Sequence, residues 1–146
     1  MRITKESDYA LRIVTALALS SDVLDAARLS EDTGVTLSFT LKILHKLLHG
    51  GVVASKKGAK GGYFLAVAPE KLTMKQVIEL MEGPIVLSRC IGSPEVCSQQ
   101  ATNQANCRFR HIFQEVGETV ARTLDGVTIA SLTRIDGKAG DATNEI

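Results

Sequence analysis

Cys90, Cys97 and Cys107 are the only cysteines of the chain, with six and nine residues between successive members. Thiolates are the usual ligands of iron-sulfur clusters, and three in one segment can converge on a single metal centre. An odd number in a cytosolic protein argues against a disulfide framework. Spacing alone leaves two readings open, a cluster or buried and redox-active free thiols.

A second group of residues suits phosphate. No Asp or Glu occurs between Asp32 and Glu70, whereas Lys42, Lys46, Lys56, Lys57 and Lys60 all fall inside that window. Residues 1–65 hold nine Lys/Arg against six Asp/Glu, and residues 66–146 hold eight against ten, so the net charge of +1 hides a basic first half. Such a local positive field fits a polyanion, although five lysines can equally form a solvated face.

The elements that must position these groups are read from periodicity. Ala10, Leu11, Ile13, Val14, Leu17 and Ala18 recur at helical spacing, with Ser7 as N-cap. A short second helix over Ala26 to Thr33 ends at Gly34, and a third runs from a cap at Thr36 or Ser38 to about His49, with Leu41, Ile43, Leu44, Leu47 and Leu48 as its buried stripe. Helix, glycine turn and helix make a helix-turn-helix. Strands over residues 52–55 and 62–65 then form a hairpin, the wing, and Thr73 opens a helix through Glu82.

The expected fold is mainly α with a small β-hairpin wing. Residues 1–84 form the winged helix-turn-helix DNA-binding domain, 85–106 a cysteine-bearing loop, 107–135 a dimerisation helix with a short C-terminal helix, and 136–146 a disordered polar tail. The dimer follows from Phe109, Ile112, Phe113, Val116, Val120 and Leu124, an apolar stripe on a helix beyond a domain that already fills its own core. A second copy of the same stripe, related by a two-fold axis, covers it most economically.

In this arrangement the amino-terminal part of the third helix faces double-stranded DNA, because the major groove admits one helix. Thr36, Ser38, Thr40 and Lys42 are the contact candidates there. Lys56, Lys57 and Lys60 are those of the wing, beside glycines that let backbone approach DNA. Thr36 and Ser38 serve equally as plain helix caps.

Met1-Arg2-Ile3-Thr4, Asp8-Tyr9-Ala10-Leu11-Arg12, Lys42-Ile43-Leu44, Lys57-Gly58-Ala59-Lys60-Gly61-Gly62-Tyr63-Phe64-Leu65 and Glu82-Gly83-Pro84 form a combined pattern. It resembles the Rrf-two family of bacterial winged-helix transcriptional regulators, the IscR-like and NsrR-like repressors, over roughly residues 1–135. The resemblance implies a homodimeric repressor whose three cysteines hold a 2Fe-2S or 4Fe-4S iron-sulfur cluster that senses iron, redox state or nitric oxide. The interval from Cys97 to Cys107 is wider than is common among cluster-binding relatives, which leaves the cluster type open. In some NsrR-like members an aspartate near the amino terminus, from the other subunit, completes the metal ligands. Asp8 occupies the matching position and is the first candidate for a fourth ligand. His111 is the second, one residue further from the third cysteine than the ligand histidine of IscR-like members. Arg108 and Arg110 would favour an anionic cluster.

Other classes are less well served. His45, His49 and His111 form no evident base and nucleophile arrangement, and no phosphate-binding glycine loop precedes a helix, so an enzyme is not expected. A cluster-free thiol- or metabolite-responsive regulator of the same fold is the alternative, and a metal-binding module without DNA binding is another. With 45% hydrophobic and 23% charged residues the chain is globular in composition, and no apolar run approaches the roughly 18 residues of a membrane span. The first eight residues mix both charges and lack the apolar core of a signal peptide, so cytoplasmic residence is expected.

Overall fold

A computed structural model describes residues 3–93, 95, 97 and 106–135. The expected tail, 136–146, lies outside the described residues, as does much of the cysteine-bearing loop. Helix α1 (Lys5–Leu19) is capped by Thr4, whose side chain accepts from the Ser7 N–H at 3.3 Å. Ser7 is therefore not the cap. It is completely buried, and its hydroxyl donates to Glu82.

Helix α2 (Ala26–Thr33) is capped by Asp25, which accepts from the Arg28 N–H at 2.7 Å, and it ends at Gly34 with φ of 67°, a left-handed conformation that favours glycine. Helix α3 (Leu37–His49) follows after two residues. Its buried side chains are Thr40, Ile43, Leu44 and Leu47, and Leu41 is excluded from the expected stripe because it is 46% exposed.

Strands β1 (Val53–Lys56) and β2 (Gly62–Leu65) pair antiparallel, with Val53 opposite Leu65 and Lys56 opposite Gly62. A short third rung comes from Leu24, whose N–H donates to Tyr63 O at 3.0 Å and whose carbonyl accepts from Tyr63 N at 2.7 Å. This bridge fastens the wing to the connection before α2. It also explains Gly62, where a Cβ would stand 2.5 Å from the Leu24 carbonyl oxygen, and a Cβ on Gly61 would meet the Lys56 carbonyl at 2.2 Å. At those two glycines the close approach is to the protein's own backbone, whereas Gly58, with φ of 112°, faces open space at the tip.

Helix α4 (Met74–Glu82) begins with a capping box in which Thr73 and Gln76 exchange hydrogen bonds, and stops at Gly83. A four-residue helix, α5 (Arg89–Gly92), carries Cys90 inside the stretch expected to be loop. Helix α6 (Arg108–Asp125) starts at Cys107, and the buried Gly117 receives the Ile85–Leu87 segment against its backbone.

Helix α7 (Ile129–Ile135) turns back into the first domain. Ile129 is completely buried in the same core as Ala10, Ile13, Val14, Leu44, Leu72 and Val77. Its N–H donates to Leu72 O at 2.8 Å, and Met74 N donates to Val127 O at 2.9 Å. The expected segment 107–135 thus joins two parts with different partners, and the winged core is completed only by its last helix. A residue of this size, fully removed from water, contributes about 1.5–3 kcal/mol.

Candidate nucleic-acid interface and cysteine segment

The amino-terminal end of α3 presents Thr36 and Ser38 to solvent, their hydroxyl oxygens 3.4 Å apart. Thr40, by contrast, is completely buried and its hydroxyl points to the Val35 carbonyl at 3.5 Å, so it cannot reach a base and is not a DNA contact. The outer surface of α3 adds residues that periodicity did not place there. His45 and His49 are exposed there, one turn apart, with Leu37 at 47% and Leu41 at 46%.

Lys42 and Lys46 both reach across to α1, where their Nζ atoms lie 3.2 and 3.0 Å from the two carboxylate oxygens of Glu6. Lys42 also stands 5.7 Å above the Phe39 ring, which meets Tyr9 edge-on at 5.9 Å. The hydrogen bond from Lys46 holds the Glu6 carboxyl below its ordinary range, burial opposes it, and Lys42 adds to the lowering. The acid-free window is therefore local to the sequence. In space an acid from α1 answers two of its lysines, and Lys42 remains 59% exposed. Lys56, Lys57 and Lys60 are exposed on the wing, and among the described residues none of them forms an ion pair.

The three cysteines are free and half-buried. Cys90 Sγ lies 3.1 Å from Ser88 Oγ, and the Arg110 guanidinium donates to the Cys90 carbonyl at 2.9 Å, which ties α5 to the first turn of α6. Cys107 occupies the N-cap position of α6, one turn before His111, which is exposed. Asp8 pairs with Arg12 at 2.8 Å on α1 and lines a groove with Arg12, Asp32, Thr33 and Leu132, where no cysteine contributes. Among the described residues no three His, Cys, Asp or Glu side chains converge on a metal position. In kind the donors fit a cluster, since thiolates are its usual ligands and Cys107 caps a helix whose first turn carries Arg108 and Arg110, which suit an anionic iron-sulfur group.

Beyond the cysteines, α6 exposes Phe109, Ile112, Phe113 and Val116, at 73%, 56%, 42% and 45%. Among the described residues these four large apolar side chains, at helical spacing, form an exposed stripe. Among the described residues no helix is long and apolar enough to cross a membrane.

Comparison with known proteins agrees with this geometry. Residues 3–135 match the Rrf2 family model, described as an iron-dependent transcriptional regulator. A protein of Aquifex aeolicus, assigned by name to the HTH-type transcriptional regulators, is 32% identical over 131 residues, covering 89% of this chain and 90% of that one. The HTH-type transcriptional regulator IscR of Yersinia pseudotuberculosis is 29% identical over 134 residues, covering 90% of this chain and 79% of its own length. Among solved structures, CymR, the global cysteine regulator of B. subtilis, superposes with a TM-score of 0.71 at 22% identity over 92% of this chain and 98% of its own. These are regulators and not enzymes. With its helix-turn-helix, wing and long sixth helix, the chain belongs to the Rrf2 family of winged helix-turn-helix transcriptional regulators.

Proposed function

We propose that this regulator is a cytoplasmic two-fold homodimer that represses transcription from specific double-stranded DNA sites, and that an iron-sulfur cluster held by Cys90, Cys97 and Cys107 modulates its DNA binding. The observation that carries the reading is the hydrogen bond from Arg110 to the Cys90 carbonyl, which couples the cysteine segment to the helix bearing the exposed apolar stripe. Asp8, contributed across the dimer, is the first choice for the fourth ligand and His111 the second.

In the dimer the stripe of Phe109, Ile112, Phe113 and Val116 is covered by its own copy, which sets the two α3 helices for successive major grooves about 34 Å apart. Thr36, Ser38 and Lys42 address the groove and its phosphates, and Lys56, Lys57 and Lys60 address phosphates from the wing. A bound cluster would supply a centre whose state changes with iron supply, oxidant or nitric oxide. The chain's own part is to convert that change into motion. Cys90 and Cys107 sit on either side of the contact between α5 and α6, so a change of ligation there would be passed to α6 and, through the dimer, to the separation of the two α3 helices.

Anaerobic reconstitution with iron and sulfide, followed by visible absorption and metal analysis, tests the cluster. Bound iron and sulfide with a charge-transfer band are expected, together with an electrophoretic shift of promoter fragments that differs between loaded and cluster-free protein. Absence of bound iron, or equal loading of a triple Cys-to-Ser variant, overturns it. One observation favours a second reading, a cluster-free thiol switch: all three cysteines are free and partly accessible. In that case oxidant alters DNA affinity without iron.

A further inference from the structure

We propose that Leu41, with Leu37 beside it, reads the C5-methyl groups of thymine in the major groove, so that the operator of this regulator carries thymine at one or two defined positions in each half-site. The inference rests on the reading of α3 as the groove helix. An α-helix advances about 100° per residue, which sets Leu37, Ser38, Leu41 and Lys42 on one continuous strip of its exposed half, next to the cap residue Thr36. Two leucines nearly half-exposed on that strip, at 47% and 46%, are the feature to be explained.

Their neighbour Phe39 is exposed too, but it is accounted for within the chain by the Tyr9 ring and the Lys42 ammonium. Leu41 belongs to no part of the buried core. What the major groove offers an aliphatic side chain is narrow. Guanine presents two acceptors, cytosine an amino donor, adenine an acceptor and a donor, and thymine alone presents a methyl group. A leucine pressed over the first three strips water from a polar edge and returns no hydrogen bond, whereas over thymine it covers one apolar group with another. Leu41 therefore both selects thymine and penalises the other bases. Ser38 and Lys42, on the same strip, supply the polar and phosphate contacts that hold the helix in register.

The test uses the full chain. A binding site is first selected from a randomised duplex library, and each thymine of the half-sites is then replaced by deoxyuridine, which removes the methyl group and nothing else. Affinity is measured by fluorescence anisotropy. One or two positions per half-site are expected to weaken binding about fourfold each, the worth of one apolar carbon group removed from water. In Leu41→Ala that dependence should vanish at one position, with Leu37→Ala identifying the other, while circular dichroism stays unchanged because both side chains lie outside the core. Full affinity for every deoxyuridine duplex, or an undiminished methyl dependence in both variants, overturns the proposal and leaves the groove-helix reading standing. Failure to select any sequence overturns both.

Discussion

One carboxylate oxygen of Glu82 accepts from the Thr4 N–H at 2.9 Å, from the Thr4 hydroxyl at 2.8 Å and from the buried Ser7 hydroxyl, so the end of α4 is fastened to the start of α1. Burial works to raise the Glu82 carboxyl, but the hydrogen bonds from Ser7 and Thr4 outweigh it and hold the group below its ordinary value of 4.5. Glu6, beneath Lys46 and Lys42, is lowered as well. For both residues the stabilisation is complete above the unfolded-state value and is lost as pH falls through the lower folded-state values. Glu82→Gln should therefore reduce stability at pH 7 by on the order of 1 kcal/mol, a modest loss because the side chain is partly screened by solvent, and should flatten the acid side of a stability curve measured by urea unfolding. Thr40 and Ser38 give a paired test of which hydroxyls face DNA. Thr40→Val should leave operator affinity unchanged, and Ser38→Ala should weaken it severalfold, as read in titrations at fixed salt.

The wing separates two uses of glycine and lysine. Gly61→Ala places a methyl group against the Lys56 carbonyl and should cost about 1–3 kcal/mol of thermal or chemical stability. Lys57→Ala with Lys60→Ala should leave stability alone, weaken binding to every duplex, and reduce the slope of log affinity against log salt by about 0.9 for each phosphate no longer neutralised. An unchanged slope removes the wing from the interface. Most elements are legible in the sequence because their signals are local. The run Ala26 to Thr33 with its glycine stop, the strand Gly62–Leu65 and the Thr73 cap lie within a few residues of the features that cause them. What is not legible depends on distant partners. Ser7 reads as a cap until Glu82 arrives from α4, the wing glycines read as DNA-approach residues until Gly62 is seen to lie against the Leu24 carbonyl, and Leu41 fits a helical stripe by type although its position turns it outward. The candidate site is legible as residue types, and less so as a surface, since Thr40 and the Glu6 partnership with two lysines are set by tertiary packing.

At the scale of the whole molecule, the proposed dimer rests on the exposed stripe of α6. Ile112→Glu with Phe113→Glu should convert the protein to a folded monomer in sedimentation velocity and reduce operator affinity at least a hundredfold, because each half-site then binds alone. Ile129→Ala should act differently, destabilising the monomer unit itself by about 2–5 kcal/mol. The return of α7 to the first core also sets an order of events during synthesis. A ribosome that has just released Gly83 has made every helix and strand that faces DNA, yet Ile129 is still to come. At about 5–20 residues per second, several seconds pass before that side chain can enter the core. The nascent chain therefore cannot finish its DNA-reading half and leave the rest for later. It acquires a complete winged domain only after the cysteine segment and α6 have been translated, so the groove-reading unit is never finished ahead of the two segments proposed to pair it and govern it.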